Sequence, residues 1–221
     1  MPHAADNRTL KHGCIVMASG VGARFGGNKL MAELCGAPLV GHVVRATDDL
    51  FSRRVVVTRH ADVTALCETL GAQVILHDEP CRNDTVRLGM EAMDGCDTVT
   101  FVQGDQPLIR PASIAALLRA AERDAAGAVE CNAAVSSVAR IWRTSFDGVP
   151  GAPMLFPSWA FDELRSLPRG KGGGFVAKTH AEYVRTIEVS SEWELFDVDT
   201  RDDLEQLQTH VARCGSASLP R

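Results

Sequence analysis

Short apolar runs alternate with segments in which apolar residues recur at helical spacing. Residues 13–19 (GCIVMAS) form an apolar run that ends in a glycine-rich stretch, which predicts a buried strand and a loop. Further strands are predicted at residues 54–58, 73–76, 97–102, 132–138 and 184–189. Helices are predicted at residues 38–50, 62–70, from 83 or 84 to 93, 111–123, 161–167 and 201–213. Residues 147–153 have turn chemistry, and residues 169–174 are predicted to form a flexible loop.

Strands that alternate with helices predict an α/β fold of three layers, α/β/α, with a mostly parallel, mixed sheet covered on both faces. Ligands of such folds bind at the carboxyl ends of the strands. We expect a single domain at residues 13–213, between a polar N-terminal tail (1–12) and a C-terminal tail (214–221).

The composition narrows the classes of partner. Lysine plus arginine number 23 against 28 acidic residues, and a net charge of −5 argues against a nucleic-acid-binding surface. The seven cysteines are scattered and include no CxxC pair, which favours the reducing cytoplasm and disfavours a zinc site. No apolar stretch resembles a signal peptide or a membrane span. We therefore expect a cytoplasmic protein that binds neither membrane nor nucleic acid.

The stretch after the first strand, MASGVGARFGGNKL at residues 17–30, carries the strongest chemical signal. Its glycines allow successive backbone N–H groups to curl around an anion. Arg24 and Lys29 can neutralise a triphosphate and the charge that develops on departing pyrophosphate.

Two other phosphate loops do not match this stretch. A Walker A loop needs serine or threonine after the lysine, where this chain has Leu30. A dinucleotide-binding fingerprint needs a third glycine where Phe25 stands, which disfavours an NAD(P) oxidoreductase.

The loop resembles that of the MobA-like NTP transferases, which reads LAAG or LAGG, three residues, then R, M or F, G and a nearby lysine. Gly104-Asp105-Gln106-Pro107 is similar to that family's GDxP, and residues 196–204 are similar to its DIDTPxDL. The resemblance covers residues 13–207 and is strongest to the molybdenum cofactor cytidylyltransferases. It implies a Rossmann-like nucleotidyltransferase fold.

The resemblance also implies the roles of particular residues. Arg24, Lys29 and Asp105 would be catalytic, and Asp105, which follows a buried strand, would hold Mg²⁺ together with Asp199 or, in reserve, Asp197. The nucleotide would contact Arg24, Lys29 and a set of mostly small residues, namely Ala18, Ser19, Gly20, Gly22, Asn83, Thr85 and Gly104.

Several of these residues also have purely structural interpretations. Asn83 and Thr85 could contact base and ribose, cap a helix, or do both. Asp199 could cap the last helix, and the segment around Asp105 could be an ordinary turn.

Two departures from the family pattern concern the acceptor and the donor. Gly151-Ala152-Pro153 stands where the cytidylyltransferases have GHP, and Lys171 falls in the segment that resembles their GDxG. Gly151 and Lys171 are therefore expected near the acceptor. Ser19 stands where an alanine accompanies CTP use and a glycine accompanies GTP use, and its side chain favours the smaller pyrimidine.

The resulting prediction is a Mg²⁺-dependent transferase that moves CMP from CTP to a phosphorylated acceptor, molybdopterin, and releases pyrophosphate. Such an enzyme could dock on a molybdoenzyme or on its chaperone. The alternatives are a transferase for a sugar or alditol phosphate, and a non-catalytic chaperone that binds nucleotide and molybdopterin.

Overall fold

A computed structural model describes residues 9–130 and 139–214 of the chain. The strand predicted at residues 132–138 lies outside the described residues, as do most of both expected tails. The described strands are β1 (His12–Ala18), β2 (Glu33–Leu34), β3 (Ala37–Pro38), β4 (Arg53–Thr58), β5 (Gln73–Leu76), β6 (Thr98–Gln103), β7 (Ile141–Phe146), β8 (Val149–Pro157) and β9 (Val184–Glu188).

Seven of these strands form one sheet in the order β5-β4-β1-β6-β8-β7-β9, and β2 pairs with β3 in a separate small hairpin. Within the large sheet β1 runs parallel to both β4 and β6, and β7 runs parallel to β9. Strand β8 runs antiparallel to both of its neighbours, β6 and β7. The predicted mostly parallel, mixed sheet is confirmed.

Helices cover both faces of the sheet. They are α1 (Leu39–Ala46), α2 (Ala61–Thr69), α3 (Arg82–Glu91), α4 (Pro111–Glu130), α5 (Phe161–Arg165), α6 (Gly173–Thr179) and α7 (Arg201–Cys214). Alternate residues of a strand face opposite sides, so Ile15 of β1 joins the core beneath α3, α5 and α6, whereas Cys14 and Val16 join the core beneath α1 and α2. The predicted three-layer α/β fold is confirmed. None of the described helices is long and apolar enough to cross a membrane.

Two predicted elements differ from the structure because glycine and proline there do not stop regular structure. Most of the predicted turn at residues 147–153 belongs to β8, and only Asp147 and Gly148, both with positive φ, make the turn from β7. The apolar residues Met154 to Phe156 pair with β6. This pairing keeps β8 in strand conformation although its first half contains prolines. Helix α6 likewise begins at Gly173, inside the predicted flexible loop.

The start of α3 also differs from the prediction. The helix begins at Arg82, so neither Asn83 nor Asp84 is its N-cap residue. Asp84 instead reaches back one turn and accepts a hydrogen bond of 3.2 Å from the Cys81 backbone N–H.

A buried carboxylate anchors the segment that follows β9. Glu194 is 1% exposed and accepts hydrogen bonds from the Ser113 hydroxyl (2.5 Å), the Ser190 hydroxyl (2.8 Å) and the Arg110 backbone N–H (3.3 Å). Because buried acceptors with several donors are costly to displace, these bonds fix the segment against the start of α4. The chain then returns across the carboxyl ends of the central strands.

Candidate active site

A cleft of about 1650 Å³ opens at the carboxyl ends of the central strands. Its walls come from the loop after β1, the end of β6, the start of β8, the start of α6 and the segment at residues 192–199. Sites for single small ligands usually occupy about 300–1,000 Å³. The cleft therefore has room for two substrates side by side.

One lysine joins two carboxylates at the floor of this cleft. The Lys29 ammonium lies 2.6 Å from Oδ2 of Asp105 and 2.7 Å from Oδ1 of Asp199. Burial alone would lower the pKa of Lys29, but the two carboxylates outweigh that effect and raise it. The hydrogen bond from Lys29 in turn lowers the pKa of Asp199. Lys29 and Asp199 are thus both charged at neutral pH.

Close backbone contacts bring the two aspartates together. The Gly104 N–H donates to the Met17 carbonyl oxygen at 3.0 Å, and a Cβ on Gly104 would lie only 3.1 Å from that oxygen. Glycine thus lets the loop that carries Asp105 approach the end of β1. The Val198 N–H donates to the Asp105 carbonyl oxygen at 3.0 Å, which places Asp199 beside Asp105.

Asp199 is not the cap of the last helix. The Thr200 hydroxyl accepts from the Asp203 backbone N–H at 3.1 Å, and the Asp203 carboxylate accepts from the Thr200 backbone N–H at 2.7 Å. This reciprocal pair caps α7, so the Asp199 carboxylate is left for Lys29 and Arg24.

The glycine-rich loop folds into a tight curl that presents Arg24. Gly22 has φ of +60°, and a Cβ there would overlap the Gly27 carbonyl oxygen, so the curl requires glycine. The Phe25 N–H donates to the Gly22 carbonyl oxygen at 2.9 Å, and the Phe25 ring is buried against α7. Arg24 stays exposed, and its guanidinium lies 2.7 Å from Asp199.

Asp197 adds a third carboxylate to the same wall. Partial removal of the Asp197 carboxyl from water, together with the negative charges of Asp105 and Asp199, raises the pKa of Asp197 to about 6. The negative charge of Asp105 and Asp199 thus acts on Asp197 as well, although of these three carboxylates only Asp105 and Asp199 form ion pairs with Lys29.

The pair Asp105 and Asp199 fits the needs of Mg²⁺. Both carboxylates lie within hydrogen-bonding distance of one nitrogen, so their oxygens already converge on a point that a cation can occupy. Mg²⁺ favours one or two carboxylates, with phosphate oxygens and water completing its shell. Within residues 9–130 and 139–214 no group of three or more histidine, cysteine, aspartate or glutamate side chains is placed to hold a metal ion.

The Ser19 side chain is held by two partners at the cleft wall. Its hydroxyl donates to the Val57 carbonyl oxygen at 3.1 Å and lies 2.8 Å from His77 Nε2. Because the Ser19 hydroxyl proton points at the Val57 carbonyl oxygen, we assign a proton to His77 Nε2, which then donates to the Ser19 hydroxyl oxygen. Burial, and then the charge of Arg59, lower the pKa of His77, which keeps it neutral.

The sequence of the chain matches a known protein family. The profile of the MobA-like NTP transferase domain matches residues 14–184, more than half of the chain. The chain belongs to the MobA-like NTP transferase domain family. It is thus a member of a nucleotidyltransferase family, and its three-layer fold is the Rossmann-like one.

Several curated proteins are moderately similar to parts of the chain. A 3-deoxy-manno-octulosonate cytidylyltransferase from Anaeromyxobacter sp. (strain Fw109-5) is 37% identical over 113 residues, which cover 45% of this chain and 44% of that protein. The chain spans less than half the length of the curated relatives it matches.

Solved structures show the same fold over nearly the whole chain. The homolog of Mycobacterium tuberculosis rv0371c from Mycobacterium sp. strain JC1 has a TM-score of 0.74 at 24% identity, covering 92% of this chain and 98% of that one. The manganese complex of Rv0371c from Mycobacterium tuberculosis H37Rv has a TM-score of 0.70 at 19% identity, covering 91% and 99%.

The structure brings most of the residues singled out from the sequence to this MobA-like cleft. Those on its wall are Ser19, Gly20, Arg24, Thr85, Asp105, Gly151, Lys171 and Asp199. Those behind the wall are Ala18, Gly22, Lys29, Asn83 and Gly104, which lie outside the cleft lining.

Asn83 has a structural partner. Its carbonyl oxygen accepts from the Gly170 N–H at 2.8 Å, and its amide donates to the Asp84 carboxylate at 3.0 Å. Asn83 thereby ties the start of α3 to the glycine-rich loop before α6. Thr85, two residues on, is 3% exposed and lies on the cleft wall.

Other polar residues of the cleft were not predicted from the sequence. They are Arg59, Arg82, Gln103, Gln106, Arg143, Asp147, Lys178, Thr179 and Glu192 on the wall, and His77 behind Ser19. Arg143 lies within a strand between Trp142 and Thr144. No glycine-rich or turn motif marks that position, so the sequence offered no signal for it.

Replacing Lys29 with methionine removes the ammonium between the two carboxylates. We expect the metal-free protein to lose about 2 kcal/mol of unfolding free energy, because Asp105 and Asp199 then repel each other without compensation. The apparent Kd for Mn²⁺ should fall about tenfold, since the cation no longer displaces an ammonium. Thermal unfolding with and without Mn²⁺ measures both effects.

Lys11→Met is the matched control, because Lys11 is exposed and lies outside the cleft lining. Unchanged Mn²⁺ affinity in Lys29→Met would show that Lys29 and the metal do not share these carboxylates.

Proposed function

We propose that this MobA-like NTP transferase moves CMP from CTP to a phosphorylated acceptor, molybdopterin, with the help of Mg²⁺. The observation that carries the proposal is the convergence of Asp105 and Asp199 on Lys29, directly beside the glycine-rich loop. This arrangement combines carboxylates that can bind a cation with a positively charged ammonium. A reaction between two phosphates needs such positive charge, because both reactants are anionic.

The reaction is an in-line displacement at the α-phosphorus of the NTP. An acceptor phosphate oxygen forms a bond to the α-phosphorus, the bond to the β-phosphate's bridging oxygen breaks, and pyrophosphate leaves with the bonding electrons. Both reactants are anionic, so catalysis consists mainly of positioning and charge neutralisation. When bound, Mg²⁺ supplies positive charge at the α-phosphate oxygens.

The residues around the proposed cation site divide this work. Arg24 and Lys29 neutralise the β- and γ-phosphates and the departing pyrophosphate. Backbone N–H groups of the curl at residues 19–22 hold phosphate oxygens. Asp105 and Asp199 would hold the cation, and Lys29, which lies between them, would direct its positive charge toward the phosphates.

The choice of a divalent cation has support from a structural neighbour. The manganese complex of Rv0371c shares this fold. Mn²⁺ and Mg²⁺ both accept carboxylate, phosphate and water ligands. We therefore propose Mg²⁺ as the working ion and use Mn²⁺ as its probe.

CTP and molybdopterin are proposed on the motifs and on the cleft. Ser19 places a fixed side chain at the position where the family's GTP users carry glycine. The stretches that resemble the molybdenum cofactor cytidylyltransferases line or support the same cleft. We further propose that the protein works in the cytoplasm and docks on a molybdoenzyme or its chaperone.

A second candidate function is CMP transfer to an acidic sugar or to a sugar or alditol phosphate. It is favoured by the 37% identity to a 3-deoxy-manno-octulosonate cytidylyltransferase. Such an acceptor would fit a cleft of this volume. The two candidates share the donor and the proposed cation site, and they differ only in the acceptor.

A pyrophosphate-release assay with purified protein, Mg²⁺ and candidate acceptors tests the proposal. We expect release with CTP and molybdopterin, and a loss of about 10²-fold or more in Asp105→Asn, which keeps the shape and removes the charge. Asp94→Asn, an exposed aspartate outside the cleft, is the control.

Release with an acidic sugar, a sugar phosphate or an alditol phosphate, and none with molybdopterin, would favour the second candidate. Tight binding of CTP and molybdopterin without any release would instead indicate a non-catalytic chaperone. Full activity in Asp105→Asn would contradict the proposed cation site.

We expect CTP to be preferred over GTP by roughly 10- to 200-fold in kcat/KM, because a fixed side chain at position 19 obstructs the larger purine. Ser19→Gly should shrink that preference. Ser19→Ala, which keeps Cβ and removes the hydroxyl, separates steric bulk from hydrogen bonding.

Steady-state kinetics with CTP, GTP, ATP and UTP provide the comparison. Preference for GTP in the parent protein would overturn the choice of donor. A CTP preference that is unchanged in Ser19→Gly would support CTP as the donor and contradict a role of Ser19 in selecting it.

A further inference from the structure

Arg143 of β7 presents an unpaired cation to the cleft. Its Nε and Nη2 groups donate to the Gly151 carbonyl oxygen at 3.1 and 3.0 Å. A guanidinium carries five N–H groups, so the other three have no protein acceptor within the described part of the chain. Asp147 and Glu192 also lie on the wall, yet neither forms an ion pair with Arg143.

Arg143 lies at a β-bulge between β7 and β8. Arg143 pairs with Met154 of β8, whereas the next paired residue of β7, Ser145, faces Pro150, so the register shifts between them. Gly151 falls inside the shift and has no partner residue in β7. Its carbonyl oxygen is therefore taken by the Arg143 side chain, in keeping with the tendency of bulges to redirect side chains near sites.

Gly151 is itself fixed by a close approach. A Cβ at this position would lie 2.9 Å from the Leu195 side chain, and the Leu195 carbonyl oxygen accepts from the Gln106 amide at 3.2 Å. A chain of contacts therefore fixes Arg143: its guanidinium binds Gly151, Gly151 packs against Leu195, and Leu195 is hydrogen-bonded to Gln106, the neighbour of Asp105. A guanidinium fixed before its ligand arrives loses little entropy on binding.

The surroundings of Arg143 favour an anion. Burial lowers the pKa of Arg143, which means that the charged guanidinium lacks compensation where it stands. Arg82, Lys171 and Lys178 line the same cleft. An incoming oxyanion would supply the missing counter-charge and occupy the free N–H groups.

The sheet separates Arg143 from the proposed cation site. Arg143 faces Met154, and Met154 faces Phe101 of β6, so two strand spacings, about 10 Å, lie between the backbones of β7 and β6. Asp105 follows β6, and the attacking oxygen of an acceptor must lie beside it. From this backbone separation we infer that a group bound at Arg143 is a different group of the acceptor, and the KM and kcat of Arg143→Gln test that distinction.

We propose that Arg143 binds a second anionic group of the acceptor, separate from the attacking phosphate, so that the protein selects acceptors with two spaced negative charges. This inference rests on the proposed function, because it takes the cleft to hold an acceptor. The residue is a recognition residue and takes no part in bond making.

Inorganic phosphate is the probe for this site. The full-length protein is saturated with Mg²⁺ and α,β-methylene-CTP, which fills the donor phosphate positions, and phosphate is then titrated by calorimetry. We expect Arg143→Gln to weaken phosphate binding roughly 10-fold or more, since charge-assisted bonds are lost. Arg143→Lys, which keeps the charge and loses the fork, should show a smaller loss.

Arg185→Gln is the matched control. Arg185 lies on the neighbouring strand β9, is exposed, donates to the Glu182 and Val184 carbonyl oxygens, and is outside the cleft lining. Unchanged affinity for the CTP analogue and an unchanged Tm show that each variant is folded. Equal phosphate affinity in Arg143→Gln, Arg143→Lys and the parent would overturn the proposal.

A second arm links the phosphate site to the acceptor. In the transfer assay Arg143→Gln should raise the KM for the acceptor about tenfold and leave kcat and the KM for CTP within about twofold. Phosphate should compete with the acceptor in the parent protein. Phosphate binding at Arg143 without such competition would assign the site to a free anion and overturn the proposal.

The two proposals can fail separately. A parent protein that neither binds CTP nor releases pyrophosphate would contradict the proposed function. A parent protein that binds CTP but releases no pyrophosphate with any acceptor would also contradict the proposed function, and there the phosphate titration still reports on Arg143, because calorimetry requires no turnover.

Discussion

The ion pair of Lys29 with Asp105 and Asp199 is the interaction on which the rest of the cleft depends. It joins residues that are 76 and 170 positions apart in the chain. With Asp197 beside them, the aspartates would repel one another without the ammonium. Each partner also comes from a segment that the fold fixes separately: the glycine-rich loop, the loop after β6 and the return of the chain before α7.

The mixed sheet gives this cleft two unlike halves. The parallel strands β1 and β6 end at the glycine-rich loop and at Asp105, where positive charge and carboxylates meet. The antiparallel strand β8 begins at the cleft and brings Gly151 and, through the bulge, Arg143 to the opposite wall. A donor with its cation suits the first half, and an anionic acceptor suits the second. The family to which the chain belongs transfers nucleotides, and this division fits a reaction between two charged substrates.

The sequence predicted best those elements whose own residues determine them. Apolar runs at β1, β4 and β6 are continuous because these strands are covered on both faces, and such runs are visible without any partner. The glycine-rich loop was visible for a similar reason, since the positive φ at Gly22 is a local requirement. Asp105 and Asp199 were singled out through motifs, and the structure brings both to Lys29.

Features that arise from distant contacts could not be predicted. Strand β8 contains Pro150, Gly151 and Pro153, which are typical of turns. The segment is a strand because it pairs with β6 and β7. Asn83 was expected at the nucleotide, but its partner is the Gly170 backbone 87 residues away. The same holds for His77, whose role depends on Ser19 in another loop.

The central claim is that Asp105 and Asp199 bind one and the same divalent cation. The most direct measurement is Mn²⁺ binding, followed by electron paramagnetic resonance, to the parent protein, Asp105→Asn, Asp199→Asn and the double variant. If the two carboxylates share one ion, each single change should weaken Mn²⁺ binding roughly tenfold or more, and the double variant should be weakened by much less than the product of the two. Parental affinity in Asp199→Asn, or losses that simply multiply, would contradict the shared site.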